Sequence, residues 1–219
     1  MQKKVIIIGG GIVGLSCAFF LSREGHQVEI IDKSTMDGGA SYVNAGYLTP
    51  IHIVPLAAPG MITKGLKWML DSSSPFYIKP RLDLMDWGIK FMRSCTKKHV
   101  KRSLKVIKDI NVMSKELYHE FDQLPDLDFH IEDLGVMMAY QSLAAEKSEG
   151  IVMREAKQMG LAVEQLTQNQ IFEIQPDCEM NISGAYLYRC DGHTTPGIFM
   201  EQLKKYLAQI GVKIHGGLR

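Results

Sequence analysis

Val5-Ile6-Ile7-Ile8 runs directly into Gly9-Gly10-Gly11-Ile12-Val13-Gly14. A short apolar run that ends in G-x-G-x-x-G predicts a buried parallel strand, a tight turn and a helix. Gly9 permits the turn, Gly11 leaves the backbone open to a pyrophosphate, and Gly14 allows the helix to pack closely on its sheet. The helix is expected from about Ile12 to Glu24, stopped by Gly25. Its first amides, those of Ile12 and Val13 included, and its positive dipole end form an anion seat worth roughly 0.3–1 kcal/mol per charge at an exposed site. Gln27-Val28-Glu29-Ile30-Ile31 reads as the second parallel strand, and Asp32 at its carboxyl end can accept hydrogen bonds from the ribose hydroxyls of an adenosine. The fold class that follows is α/β and Rossmann-like. The ligand is a dinucleotide, with NAD and FAD both open at this point.

A membrane reading of the same stretch fails on its glycines. Lys3 and Lys4 precede an uncharged run from Val5 to Ser22 that superficially resembles a secretory leader or a membrane span. Four glycines fall where a spanning helix would need its centre, and no polar cleavage region follows. A retained N-terminus and a cytoplasmic, soluble or peripheral protein are therefore expected. The 219 residues are 46% hydrophobic with a formal charge of +1, which describes a globular chain with no global bias towards nucleic acid. Cys17, Cys95, Cys178 and Cys190 form no CxxC pair and no metal-ligand spacing, so reduced thiols and no metal centre are expected. Cys17, beside Ala18 in the first helix, reads as a small buried residue.

Asp37 to Pro50, DGGASYVNAGYLTP, is rich in small and turn-forming residues that let backbone run close to a large planar ligand. Here the chain resembles a family, the FAD-dependent amine and amino-acid oxidoreductases, and within it the D-amino-acid dehydrogenase type. The resemblance rests on Gly9 to Asp32, on Ser41-Tyr42-Val43-Asn44-Ala45-Gly46, on Pro55 to Gly60, and on Lys67-Trp68-Met69. It continues in Asp191-Gly192-His193 with Pro196, then a helix from Gly197 to Ile210 and a strand from about Val212.

By position, the resemblance implies FAD as cofactor. Gly9, Gly11, Ile12, Val13 and Gly14 would hold its pyrophosphate, Asp32 and Lys33 its adenosine side, and Ser41, Asn44, Ala45 and Gly46 the region near the flavin ring. Asp32 stands where the family commonly has Glu, and either carboxylate can accept ribose hydroxyls. The resemblance also implies a Rossmann-like FAD domain carrying an inserted mixed α+β substrate domain. The expected boundaries are 1–75 for the first part of the FAD domain, 76–184 for the insertion and 185–219 for the return. Because the family continues for about as long again, a chain ending at Arg219 is expected to be an N-terminal piece, truncated within the fold and inactive by itself.

Between the two parts, Arg81 to Phe121 carries a helical pattern broken near Cys95, with Val100, Leu104, Ile107, Ile110, Ser114, Leu117 and Phe121 as its apolar stripe. The other face holds Lys97, Lys98, Lys101, Arg102, Lys105 and Lys108, a solvated basic surface or a contact for the inner face of a membrane. Phe129-His130-Ile131 and Val136 to Tyr140 flank a turn and suggest a hairpin. A helix from about Ser142 to Met159 follows, and Thr167 with Gln170 forms a capping-box signature.

No residue is assigned as catalytic acid or base. His52 and His193 read as packed or structural, Tyr47, Tyr140, Tyr186 and Tyr188 as pocket or core residues, and Arg81 and Arg189 as carboxylate forks or surface ion pairs. The resemblance implies oxidation of a D-amino acid or related small amine to an imino acid, hydrolysed to keto acid and ammonia, with electrons passing to a quinone or other acceptor. D-hydroxyproline dehydrogenase and glycine or sarcosine oxidase chemistry are the enzymatic alternatives. A nucleotide-binding regulatory or assembly subunit is the other class.

Overall fold

The computed structural model describes residues 1–63, 65 and 81–218. The Lys67-Trp68-Met69 resemblance and the expected boundary at residue 75 lie outside them. The chain divides into two compact units, one comprising Met1–Leu48, Lys115–Gly135 and Asp191–Arg219, the other Thr49–Ser114 and Val136–Cys190.

In the first unit, β1 (Lys4–Ile8), α1 (Ile12–Arg23) and β2 (Gln27–Ile31) form the expected βαβ element. β8 (Lys213–His215) joins it, and the parallel order is β1-β2-β8, with Ile7 beside Ile30 and Ile30 beside Ile214. Strand alternation turns Val28 and Ile30 to one face, where Leu15, Ala18 and Phe19 of α1 meet Phe199, Met200, Leu203 and Leu207 of the helix Pro196–Gln209. The Val, Ile, Leu, Phe and Met side chains among them contribute about 1.5–3 kcal/mol each when fully buried. The opposite face of β1 carries Ile6 and Ile8, both exposed, and there Glu29 pairs with Lys4 and His215 at 3.6 and 2.8 Å. Cys17 is exposed, contrary to the sequence reading. The packed stripe of α1 is Leu15, Ala18 and Phe19, spaced three and four apart, and Cys17 falls off it.

The segment Lys115–Gly135 also lies in the first unit. Its aromatic residues explain why. Tyr118 and Phe121 pack with Phe129 and Phe199, with ring centroids 4.7–6.3 Å apart. Two short strands complete the unit: β3 (Tyr47–Leu48) lies antiparallel to β7 (Gly192–His193).

The second unit holds an antiparallel sheet of order β4-β6-β5, formed by Val136–Tyr140, Gly184–Tyr188 and Val163–Leu166. All five β6 residues are buried because both faces are covered. Tyr186 and Tyr188 join a cluster with Ala156 and Val163, while Ala185 and Leu187 join Leu166 and Ile171. The suggested hairpin is not formed: β4 pairs with β6, and Glu132 bridges to His193 instead. Both flanks of that turn find better-matched partners far along the chain. The helix Leu143–Gln158 is capped by Ser142, whose hydroxyl accepts from Ala145 N–H, and Gln168–Ile174 starts with the complete Thr167/Gln170 capping box.

The broken helix appears as α2 (Met85–Ser94) and α3 (Lys97–Asp122). The expected stripe on α3 holds at Leu104 and Phe121, which pack in hydrophobic clusters, and fails at Ile110, which is exposed; Lys108 donates to the Met159 carbonyl at 2.9 Å and Asn111 to the His52 carbonyl at 3.2 Å. Two polar side chains thus occupy the packed face, each satisfying a backbone carbonyl. Apolar periodicity does not register such anchors.

Candidate cofactor site

Strand β1 delivers the glycine turn to the carboxyl edge of the parallel sheet, and Gly9 N–H donates to the Ile31 carbonyl at 2.8 Å. A Cβ at Gly14 would overlap the Gly9 carbonyl, so the helix and turn approach as closely as the sequence reading required. A Cβ at Gly11 would meet only Ser41 Oγ, at 3.2 Å. Gly11 is the N-cap of α1 and offers no side-chain acceptor to the first-turn amides. The ledge above that turn is therefore open, positive and lined by donors, which fits a pyrophosphate.

Ser41 occupies the edge of this ledge. Its Oγ accepts from Ile12 N–H at 3.1 Å, leaving its own proton free to donate to an anion. This places Ser41 at the start of α1. Asn44 ties off the same loop: its amide nitrogen donates to the Ala40 carbonyl at 2.9 Å, and its oxygen accepts from Gly46 N–H at 2.8 Å.

Asp32 is held from two sides. Its Oδ2 accepts from Gly10 N–H at 2.6 Å, and its Oδ1 accepts from both the amide and the hydroxyl of Ser34 at 2.7 Å. The Gly10 amide, followed by the Ser34 donors, holds this carboxyl below the usual Asp value. Oδ2 retains a second lone pair, the natural acceptor for a ribose hydroxyl. Lys33 is exposed beside it. Met36, buried with φ 57°, folds back so that its side chain fills the space over Gly10. Lys204 and the Tyr42 hydroxyl both donate to its carbonyl.

One cavity of about 240 Å³ unites Ile12, Ser41, Asn44 and Gly46 with residues that the sequence reading did not assign to the cofactor, among them Tyr118, Thr194, Phe199 and Met200. Ala45 is exposed and does not line it. Gly46 is needed here twice over, because its φ is 69° and a Cβ would overlap the Thr194 carbonyl. Thr194 N–H donates to the Gly46 carbonyl and its hydroxyl donates to the Phe129 carbonyl, both at 2.9 Å. Burial pushes the Tyr118 hydroxyl up from its ordinary value, so it stays protonated at neutral pH and can only donate or accept a hydrogen bond. Only Pro196 beside the turn-like Asp191-Gly192-His193 hinted at this wall in the sequence.

The two arginines considered for a substrate carboxylate are engaged with acids of the chain. Arg81 forms a two-point pair with Asp83 at 2.9 and 2.7 Å, and Arg189 meets Glu164 at 2.6 Å. His52 is exposed and bonds to Thr49 at 3.0 Å. Among the described residues, no group of three acidic, His or Cys side chains could hold a metal ion.

The chain as a whole is similar to known proteins. The chain is 34% identical to a D-amino acid dehydrogenase of Helicobacter pylori over 97% of its own length and 51% of that protein. It is 27% identical to a D-amino acid dehydrogenase of Neisseria meningitidis serogroup C over 97% of its own length and 52% of that protein. The chain thus spans about half the length of the curated relatives it matches. Its fold matches the glycine oxidase of Geobacillus kaustophilus with a TM-score of 0.65 at 19% identity, covering 99% of this chain and 47% of that one. It also matches the L-amino acid deaminase of Proteus vulgaris with a TM-score of 0.64 at 13% identity, covering 99% and 40% respectively. The family model of the DAO type, FAD dependent oxidoreductase, matches residues 4–218, and with its glycine turn, acid and loop in place the chain belongs to that family.

Proposed function

We propose that this protein oxidises a D-amino acid to an imino acid, which water hydrolyses to a keto acid and ammonia, with the electrons passing on to a quinone or other acceptor. The observation that carries this reading is the identity with D-amino acid dehydrogenases along 97% of the chain. The open pyrophosphate ledge at Gly11 and Ser41 supports it. FAD, when bound, supplies the two-electron acceptor for the hydride that leaves the substrate Cα. The chain's own share is positioning. The first turn of α1 and the Ser41 hydroxyl would hold the pyrophosphate and Asp32 Oδ2 the ribose, and Phe199 and Met200 would keep water from the inner wall of the cavity. Tyr118 remains protonated and is a hydrogen-bond partner rather than a base. Anaerobic spectra of the flavin-loaded protein, taken during a panel of D- and L-amino acids, glycine and sarcosine, test the reading. Bleaching by D-amino acids alone is expected; bleaching by glycine or sarcosine with peroxide formed in air would favour an oxidase. Bound flavin that no amine reduces would favour a nucleotide-binding subunit without turnover.

A peripheral membrane contact belongs to the same proposal. The sequence of α3 lacks an aromatic wedge beside its lysines, but α2 supplies one. Its Met85, Trp87, Ile89 and Met92 are exposed, none of its residues is buried, and Trp87 stacks on Phe91 at 5.2 Å. Exposed Lys97, Lys98, Lys101 and Arg102 follow at once. An apolar face with an aromatic pair beside a cationic run complements anionic headgroups. Among the described residues, no helix is long and apolar enough to cross a membrane. Replacing the four cations with glutamate should release the protein from anionic vesicles, and unchanged partitioning would rule this contact out.

A further inference from the structure

We propose that Asp133 is a positioning residue for the flavin-side loop, an inference that rests on the FAD reading of the site. Asp133 lies outside the cavity lining, yet both of its oxygens are gripped. Lys115 Nζ stands 2.8 Å from Oδ1 and His119 Nε2 stands 3.1 Å from Oδ2. The two side chains are one turn apart on α3 and so reach out from one face of a continuous helix. The Lys115 side chain is 15% exposed and that of Asp133 46%, so the pair is half-buried and solvent screening weakens it less than a fully exposed one. His119 adds a charge when protonated.

Backbone packs directly on this clamped carboxylate. A Cβ at Gly192 would lie 2.6 Å from Asp133 Oδ1 and 2.7 Å from the Glu132 carbonyl, so β7 has no space for a side chain there. Glu132 and His193 exchange two backbone hydrogen bonds of 2.9 Å, and Gly135 N–H donates to the Asp191 carbonyl at 3.1 Å. On its other edge, β7 carries β3 in register, with His193 opposite Tyr47 and Gly192 opposite Leu48. Thr194 then donates to Gly46. A continuous chain of contacts therefore runs from α3 through Asp133 to β7, and from β7 to Gly46, Tyr47 and Leu48, all three of which line the cavity.

The test compares Asp133→Asn and Asp133→Glu in the full-length protein by amide hydrogen exchange, first without cofactor. Asp133→Asn is expected to speed exchange across residues 44–48 about ten-fold, the scale of one lost charge-assisted bond, with residues 15–19 of α1 unchanged. Asp133→Glu should restore part of the protection. FAD should bind the Asn variant more weakly and with a shifted flavin absorption band. If Asp133→Asn fails to fold, Lys115→Gln removes the same grip from the other side and should give the same local pattern. Unchanged exchange at 44–48, or an equal rise throughout α1, would overturn the proposal. The exchange data need no FAD, so a wild-type protein that holds none would defeat the cofactor reading while the exchange pattern still decides the role of Asp133.

Discussion

The glycine turn and the ribbon beside it are two halves of one site, assembled in different ways. Gly9 to Gly14 is built from adjacent residues, and its geometry follows from one strand, one turn and one helix. The ribbon joins Gly46–Leu48, Asp191–Thr195 and Phe129–Gly135, three segments that are remote in the chain. The first half would bind by backbone donors and a helix dipole, so it depends little on other side chains. The second half sets the walls of the cavity and depends on many partners. A lesion in the turn should therefore abolish cofactor binding with limited effect on stability, whereas one in the ribbon should affect stability and binding together.

The largest expected effect is from Gly11→Val, which puts a branched side chain on the open ledge, where a Cβ meets only Ser41 Oγ at 3.2 Å. FAD affinity should fall at least about 100-fold, or roughly 2.7 kcal/mol, in an equilibrium titration of flavin fluorescence. Gly46→Ala comes next and breaks the comparison from the other side. Its positive φ and the overlap with Thr194 should cost about 1–3 kcal/mol of stability, lowering Tm by several degrees in a calorimetric scan. An unchanged Tm would show that the ribbon is as self-contained as the turn.

Asp32→Asn should weaken FAD by about ten-fold through loss of the charged ribose acceptor. It also carries a pH signature. The folded-state pKa of Asp32 is depressed, so its stabilising contribution is present above the ordinary Asp value and is lost as pH falls through the lower folded value. Urea melts should show the advantage of wild type over Asp32→Asn at neutral pH and its disappearance in acid below about pH 4. The smallest effect is expected for Thr194→Val, which removes one hydroxyl bond to Phe129 and should cost about 1 kcal/mol.

The same contrast governs how much the sequence revealed. The path from Val5 to Asp32 was legible because each step is a short-range rule: apolar run, glycine turn, helix period, acid at a strand end. The Thr167/Gln170 cap and the break before α3 were legible for the same reason. Thr194, Tyr118 and Phe199 were not read as lining one cavity with Ser41, since nothing in their neighbours records which distant segment they meet. The suggested hairpin failed because a turn sequence states that the chain bends, not which strand becomes its partner. Lys108 and Asn111 were not read as part of the packed face of α3 because each reaches a distant carbonyl. Asp32 was identified by type and place, but its bonds to Gly10 and Ser34 belong to the folded loop.

The most direct test of the account is competition for the cofactor seat. The glycine turn, Ser41 and Asp32 read a pyrophosphate and an adenosine ribose, features that FAD and ADP share and FMN lacks. In a titration of the full-length apoprotein, FAD should bind, ADP should compete with it, and FMN should not. FMN binding as tightly as FAD, or ADP failing to compete, would contradict the assignment of Gly9 to Asp32 as the seat of the dinucleotide.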